Sequence, residues 1–357
     1  MTVEGPIRAA FAAVPRHLFI PSRVWPKTFG PPLDRESAPE AWADLVYQDA
    51  SIVTQVDDST GDGPGRPTSS SSKPSVMAAM LEAADVRKGD RILEVGAATG
   101  YNAAVLCELV GPSGAVTTIE VDPGLADAAR ANLAAAGYAA RVVTGDGTEG
   151  CLDAAPFDAV IATCCVVRVP PDWVTQTRPG GVIVTPWAPG ADLPGGLMAR
   201  LVVSEERDRA EGRFTGGSAF MKLRGHRWSG GPPHDLNGTA EDVRTLDGDP
   251  QTMVMAEAGP QLALMVPAIR IGVRLVDGAQ CVWVSAADGP SWARLYADGR
   301  VEQAGPRRLW DELADAYGDW QRYGRPGITE YGLTVGVDGT HRAWLRGPAG
   351  PAWRLPE

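Results

Sequence analysis

The chain has 357 residues, of which 44% are hydrophobic, and its 33 lysines and arginines against 44 aspartates and glutamates give a formal net charge of -11. That length favours two domains, and the hydrophobic fraction is large enough to bury a core in each. Because the chain is acidic and contains no run of basic residues, it lacks the electrostatic footprint of a protein that binds nucleic acid or anionic lipid.

Targeting and metal-binding patterns are missing from the sequence as well. No apolar stretch approaches the length of a membrane span, and the acidic, proline-interrupted start does not resemble a signal peptide, so we expect a cytoplasmic protein. The five cysteines form no C-x-x-C pair and the four histidines do not cluster with them. We therefore expect reduced thiols, without a disulfide framework or a metal site.

The N-terminal region predicts a helix followed by an irregular arm. "IRAAFAAVPRHLFIP" places apolar residues at helical spacing up to Pro15, whereas residues 25–66 are rich in Pro, Asp and Gly with one apolar patch, so we expect one strand there. The following "RPTSSSSKPSVM" raises a choice. Such a composition is typical of a flexible linker, but the same run could form the lip of an active site.

From Pro74 onward, strands and helices alternate. The predicted strands are "DRILEVGAATG", "AVTTIEVD", "ARVVTGDG", "FDAVIATCCV" and "VIVTPW", and the predicted helices are "SVMAAMLEAADV", "YNAAVLCELVG", "GLADAARANLAAAG" and "PPDWVTQTRPGG". This alternation predicts an α/β fold with a doubly wound, Rossmann-like parallel sheet. "LMARLVVSEE" and "GSAFMKLRG" predict a hairpin that closes the sheet.

The composition changes after this hairpin. "HRWSGGPPHDLNG" is typical of a linker, and the segments beyond it, "LALMVPAIRIGVRLV" among them, are β-like around one helix. We therefore predict an N-terminal helix and substrate arm over 1–73, the doubly wound domain over 74–226, and a second, β-rich α+β domain over 238–357.

The first chemically specific feature is the turn after the first predicted strand. Gly96 and Gly100 would let backbone N–H groups approach a ligand, but the spacing lacks the third glycine of the dinucleotide fingerprint and the Lys-Ser/Thr pair of a P-loop. Glu120 ends the next strand, where a carboxylate can accept hydrogen bonds from both hydroxyls of a ribose. Asp146, in "GDG" after the third strand, can accept one from an adenine amino group.

An adenosine without a pyrophosphate fits S-adenosylmethionine better than NAD, FAD or ATP, since the acidic Glu94 precedes the glycine turn and the methionine amine and sulfonium of that cofactor are cationic. A non-enzymatic module that binds the same cofactor stays possible. The predicted cofactor site comprises Glu94, Gly96, Ala97, Thr99, Gly100, Glu120, Val121, Asp146, Gly147 and Thr163.

Residues 6–226 resemble the protein-L-isoaspartate O-methyltransferase family. The matching stretches are "VPRHLFIP", "YQDASI", "RILEVGAATGYNAAVL", "TTIEVD", "VVTGDG", "APFDAVIAT" and "QTRPGGVIVTPW". The resemblance implies methyl transfer from S-adenosylmethionine to the carboxylate of an aspartyl or isoaspartyl residue. Counted back from the glycine turn, the family's Thr-Ile-Ser motif falls on Thr68, Ser69 and Ser70, which implies catalytic roles for Ser70 and Thr68 and favours the active-site lip over the linker.

The chain departs from the family pattern in four places. Residues 71–73 intervene before Pro74, so which serine of 69–72 is catalytic stays open, and Ala98 replaces a usual glycine. An insertion around Asp57, Asp58 and Asp62, together with the C-terminal domain, resembles a branch that methylates an aspartate in ribosomally made peptides, the ester then closing to aspartimide. We expect recognition of the peptide in these two parts.

Other functions on the same fold remain alternatives. One is a general methyltransferase that repairs isoaspartyl proteins. Another is a nucleic-acid or small-molecule methyltransferase, although "TCCVVRVPP" follows the fourth strand in place of the Asn/Asp-Pro-Pro-aromatic motif of base methylation. Cys164 and Cys165 are expected to be core or pocket lining, not nucleophiles. We expect a monomer whose partner is a peptide or protein, with no nucleic acid and no membrane.

Overall fold

The computed structural model describes residues 5–27, 30–60, 63–189, 196–227, 238–276 and 278–355. The chain forms two units by its internal contacts. The first unit comprises Met1–Cys164, Pro170–Thr185 and Arg200–Ala210, and the second comprises Cys165–Val169, Pro186–Ala199 and Glu211–Glu357. No helix in the described ranges is long and apolar enough to cross a membrane. Most of the predicted linker and Asp62 lie outside the described residues.

The N-terminal part of the first unit holds more regular structure than predicted. Its elements are α1 (Pro6–Ala13), a 3-10 turn (Arg16–Leu18), β1 (Arg23–Val24), β2 (Leu33–Asp34), α2 (Pro39–Val46), β3 (Ile52–Val56) and β4 (Pro67–Ser71). The expectation of an irregular arm with one strand was wrong for α2. Pro39 occupies its first turn, where a missing N–H costs nothing, and Trp42 and Val46 are buried on one face.

The serine run is a β-strand and not a linker. β3 and β4 pair as an antiparallel hairpin in which Ile52 lies opposite Ser71 and Val53 opposite Ser70. The hairpin turn contains three consecutive residues with positive φ, Asp57 at 46°, Asp58 at 50° and Ser59 at 68°. The Asp57 carboxylate accepts a hydrogen bond from the backbone N–H of Arg66 at 2.9 Å, which closes the turn.

The rest of the first unit is a parallel sheet flanked by helices, which confirms the doubly wound fold. Its strands are β5 (Arg91–Val95), β6 (Ala115–Glu120), β7 (Arg141–Thr144), β8 (Phe157–Ala162) and β9 (Thr177–Trp187), and its helices are α3 (Pro74–Ala84), α4 (Tyr101–Val110), α5 (Pro123–Ala135) and α6 (Pro171–Gln176). The strands run in the order β7-β6-β5-β8-β9. The order reverses between β5 and β8, and ligands bind outside the carboxyl ends of strands at such a switch point.

The predicted helix "PPDWVTQTRPGG" ends earlier than expected. α6 ends at Gln176 and Thr177 already belongs to β9. The Thr177 hydroxyl donates to the carbonyl of Trp173 at 2.6 Å, and Pro179 has no N–H with which to continue a helix.

The second unit contains the β-rich region. Its further elements are β10 (Gly196–Val203), β11 (Arg209–Ser218), β12 (Asp242–Thr245), α7 (Pro250–Thr252), a π-helical turn (Met253–Glu257), α8 (Gly259–Met265), β13 (Ile269–Val276), β14 (Ala279–Ala286), β15 (Trp292–Tyr296), β16 (Arg300–Ala304), α9 (Leu309–Arg322), β17 (Tyr331–Gly336), β18 (His341–Leu345) and β19 (Ala352–Arg354). The second strand of the predicted closing hairpin begins already at Arg209. The segment "LALM" is helical, as part of α8.

Two antiparallel arrangements organise this region. Five strands in the order β12-β16-β15-β14-β13 form one sheet, and β17, β18 and β19 pair in sequence. α9 packs Leu309, Trp310, Leu313 and Trp320 into the core of the five-stranded sheet. The boundaries between the two units fall within β9, β10 and β11. The predicted domain boundaries stay a prediction.

Candidate active site

A cleft lies at the carboxyl ends of β5 and β8. It is lined by Ser70, Ser71, Ser72, Met77, Glu94, Gly96, Ala97, Ala98, Thr99, Tyr101, Asn102 and Thr163. Six predicted site residues therefore meet here: Ser70, Glu94, Gly96, Ala97, Thr99 and Thr163. The other six are outside the lining: Thr68, Gly100, Glu120, Val121, Asp146 and Gly147.

The glycine turn has the conformation that its sequence predicts. Gly96 has φ 100° and Gly100 has φ 85°, and both values lie in the region that favours glycine. A Cβ atom on Gly96 would lie 2.7 Å from the hydroxyl of Thr163, which donates to the Gly96 carbonyl, also at 2.7 Å. Thr163, at the end of the fourth parallel strand, thus fixes the turn. Ala98 takes a positive φ of 46° although it has a side chain.

Glu120 holds this turn from the neighbouring strand. Its carboxylate accepts hydrogen bonds from the backbone N–H groups of Ala98 at 2.9 Å and Asp122 at 3.1 Å, and the residue is only 8% exposed. The side chain of Val121, which follows it, is 42% exposed. Glu120 therefore fixes the backbone of the glycine turn and of the residues that follow β6.

Asp146 and Gly147 begin the 3-10 turn after β7. The Asp146 carboxylate caps that turn by accepting from the N–H of Thr148 at 2.9 Å. A Cβ atom on Gly147 would lie 2.4 Å from Cγ1 of Val95, at the end of β5. A glycine is therefore needed for the close approach of this turn to β5.

Glu94 is completely buried and belongs to a small polar cluster. Its Oε1 accepts from Nδ2 of Asn102 at 2.7 Å and its Oε2 from the Thr118 hydroxyl at 2.5 Å. Burial raises the pKa of Glu94 to about 7, the two hydrogen bonds oppose that shift, and the nearby Glu120 adds to it. In the described part of the chain, the buried Oδ1 of Asn102 has no hydrogen-bond partner. Two acceptor groups that face one cleft suit a cationic donor such as an amine.

The serine segment presents alternate residues to its two sides. Ser69 and Ser71 are buried, whereas Ser70 and Ser72 are half-buried on the other side, as strand geometry requires. The hydroxyl of Thr68 is used inside the hairpin, where it donates to Oε1 of Gln55 at 2.9 Å and accepts from the N–H of Asp58 at 3.1 Å. Ser70, Ser71 and Ser72 all belong to the cleft lining, but Ser71 is buried on the opposite side, so Ser70 and Ser72 are the serines whose side chains can face the cleft. Thr68 lies outside the lining.

Sequence reasoning missed Asn102, Tyr101 and Met77 as cleft residues, whereas Ser72 was among the serines that it left open. Asn102 had a usable signal, since it is a polar residue in an otherwise apolar segment directly after the glycine turn. Its alignment with Glu94, however, depends on the first turn of α4. Tyr101 begins α4, and its ring lies 5.7 Å from the ring of Phe19.

A switch-point cleft with a glycine turn, an acidic residue at the end of the second strand and an acceptor pair for an amine defines the class of Rossmann-like, S-adenosylmethionine-dependent methyltransferases. The unpartnered Oδ1 of Asn102 beside Glu94 is the observation that fits the methionine amine of this cofactor. The family model of protein-L-isoaspartate(D-aspartate) O-methyltransferase (PCMT) matches residues 32–194.

Relatives in other organisms support the same family. The protein-L-isoaspartate O-methyltransferase of Ignicoccus hospitalis is 38% identical over 181 residues, which cover 50% of this chain and 72% of that protein. The one of Methanopyrus kandleri is 35% identical over 223 residues, 61% of this chain and 83% of that protein. The chain thus belongs to the protein-L-isoaspartate O-methyltransferase family, and it is a carboxyl O-methyltransferase with S-adenosylmethionine as its cofactor.

One solved structure resembles the chain over nearly its whole length. This protein-L-isoaspartate O-methyltransferase is 22% identical, and it aligns with a TM-score of 0.57 over 96% of this chain and 95% of that chain. The likeness in fold therefore extends over the β-rich C-terminal part as well.

Proposed function

We propose that the enzyme methylates the side-chain carboxylate of an aspartyl or isoaspartyl residue in a peptide. The proposal rests on one observation, which is that two serines and an acceptor pair line the same cleft. The serines are Ser70, in β4, and Ser72, just after it, and the acceptor pair is Glu94 and Asn102. Bound S-adenosylmethionine supplies an electrophilic methyl group. The serines lie on one wall of the cleft and the glycine turn on another.

The serine wall, which we define as Ser70 and Ser72, would orient the substrate carboxylate. That carboxylate is already ionised at neutral pH, so the reaction needs no general base. Ser70 and Ser72 would donate hydrogen bonds that replace water around the carboxylate and direct one oxygen toward the methyl group. The hydroxyl of Ser71 points to the other side of the strand, where it accepts from Arg16.

The residues around the glycine turn would bind S-adenosylmethionine and would take no part in the bond changes. Glu94 and Asn102 would accept hydrogen bonds from the methionine amine, Glu120 from the ribose hydroxyls and Asp146 from the adenine amino group. Gly96 and Gly147 leave space where a side chain would collide with Thr163 or Val95.

The product ester has a defined onward reaction. The backbone nitrogen that follows the esterified residue attacks the ester carbonyl carbon and releases methanol, which closes a five-membered imide. We propose that this aspartimide is the product in one partner peptide, recognised in part by the acidic hairpin turn at Asp57 and Asp58. A second candidate is methylation of isoaspartyl residues in unrelated proteins, which the whole-length fold likeness to the isoaspartate methyltransferase structure supports.

Mass spectrometry with S-adenosylmethionine and two substrates tests the proposal. The substrates are a generic isoaspartyl peptide and the peptide encoded beside the gene of the enzyme. We expect the mass gain of one methylene and then a net loss of one water on the encoded peptide alone. Turnover of the generic peptide alone would support the second candidate, and methylation of neither would contradict both. Replacing Ser70 and Ser72 together by alanine should abolish turnover and leave cofactor binding intact.

A further inference from the structure

Arg16 is a buried cation just behind the serine segment. It lies in the 3-10 turn after α1, is only 3% exposed, and does not line the cleft. The sequence predicted no role for Arg16, which was noted only as part of the family-like stretch "VPRHLFIP". In the structure, its guanidinium group donates several hydrogen bonds.

Arg16 ties two separate segments together. On one side it donates to the carbonyls that follow and end α2, those of Val46 at 3.1 Å, Gln48 at 3.2 Å and Ala50 at 3.0 Å. On the other side its Nη2 donates to the carbonyls of Ser71 at 3.2 Å and Ser72 at 3.0 Å. The Ser71 hydroxyl accepts from both Nε and Nη2. Only the planar, five-donor fork of arginine can reach this many acceptors from one position.

Arg16 also contacts a second wall of the cleft. Its guanidinium carbon lies 5.8 Å from the centre of the Tyr101 ring, within the range of a cation–π contact. Tyr101 begins α4 directly after Gly100 and lines the cleft. One buried side chain therefore supports the serine wall and the start of α4 from behind.

We infer that Arg16 is a positioning residue for carboxyl methylation, a role that rests on the proposed function of the serines. Holding the carbonyls of Ser71 and Ser72 fixes two successive peptide planes. Those planes flank Ser72 directly, so they determine the direction in which Ser72 points, and the Ser71 end of the same contacts anchors the residue that follows Ser70. Methyl transfer depends steeply on such alignment, whereas cofactor binding to the glycine turn does not.

The variant Arg16→Lys tests this inference, because it keeps the charge and removes the fork. We expect kcat to fall about tenfold or more while the Kd for S-adenosylmethionine stays within about twofold of the wild-type value. Ser71→Ala, which removes only the hydroxyl contacts, should lower kcat by a smaller factor. The matched control is Arg200→Lys, since Arg200 also donates to a backbone carbonyl, that of Ala83 at 2.7 Å, and should leave kcat unchanged.

Hydrogen exchange separates this inference from the proposed function. In Arg16→Lys the amides of residues 69–73 should exchange faster than in the wild type, whether or not the tested peptides are substrates. If the wild type methylates no aspartyl or isoaspartyl peptide, the proposed function fails, and the exchange result then shows only whether Arg16 holds the serine segment in place. The positioning role would be overturned if Arg16→Lys left either the exchange rates or kcat unchanged. It would also be overturned if kcat and cofactor affinity fell by the same factor, in parallel with Tm.

Discussion

The raised pKa of Glu94 predicts that cofactor binding is linked to a proton. In the free enzyme, burial raises this pKa to about 7, so about half of the Glu94 side chains are protonated at neutral pH. A cationic amine held by Glu94 favours the ionised carboxylate, and binding must therefore release the proton. Below pH 7, each pH unit costs about 1.36 kcal/mol of binding free energy, so the Kd should be about tenfold weaker at pH 6 than at pH 8.

Glu94→Gln should remove this linkage and also change stability. A buried acid whose pKa is raised on folding stabilises the protein at low pH, and this stability is lost as pH rises through the folded pKa. The change from 4.5 to about 7 corresponds to about 3 kcal/mol, lost between those pH values. The variant should therefore be more stable than the wild type above pH 7 and should bind the cofactor more weakly.

Calorimetry in two buffers of different ionisation enthalpy measures the proton release directly. We expect about half a proton per cofactor at pH 7 for the wild type and none for Glu94→Gln. The control is Glu82→Gln, at an exposed position of α3, which should behave as the wild type. Equal proton release by the Glu94 variant and the wild type would refute the reasoning.

Three further predictions concern other residues. Thr68→Val should lower the free energy of unfolding by about 1 to 3 kcal/mol, because it breaks the hydrogen bonds to Gln55 and Asp58, and it should leave kcat near the wild-type value. Ser70→Ala should instead lower kcat about tenfold with little change in Tm. The reverse pattern would show that Thr68 belongs to the active site. Gly147→Ala should weaken cofactor affinity through its collision with Val95, while Gly145→Ala, which meets nothing within 4 Å, should not, and equal affinities would contradict the packing argument. Burial lowers the pKa of His341 to about 4, so stability present above pH 6.5 should fall by about 2 kcal/mol between pH 7 and pH 5, and urea unfolding of His341→Phe should lack this slope.

The doubly wound class of the sheet and the position of its glycine turn could be predicted because both follow from local patterns. Alternating apolar strands and helices determine the doubly wound fold, and Gly96 and Gly100 are needed where φ is positive. The same patterns failed for α2, since the prolines and acidic residues around it are typical of a loop, and its helix is stabilised by the burial of Trp42 and Val46.

The serine assignment could not be predicted in detail for a physical reason. Four consecutive serines carry no information on which of them face the cleft, and for the three in β4 that orientation is set by the pairing of β4 with β3. The contacts of Arg16 with Ser71 and Ser72 join residues more than fifty positions apart, and no local pattern records them. The partnerless oxygen of Asn102 likewise exists only once α4 lies beside β5.

The interleaving of the two units along the chain limits how the protein can be shortened. Because residues 165–169 and 186–199 belong with the far later segment 211–357, no single cut yields either unit whole. A chain ending at residue 210 would keep Trp187, now 1% exposed, and lose Phe214, whose ring stacks on it at 5.6 Å. Such a fragment would present bare aromatic surface and tend to aggregate. An engineer who wants to exchange the C-terminal part must therefore replace the three segments together.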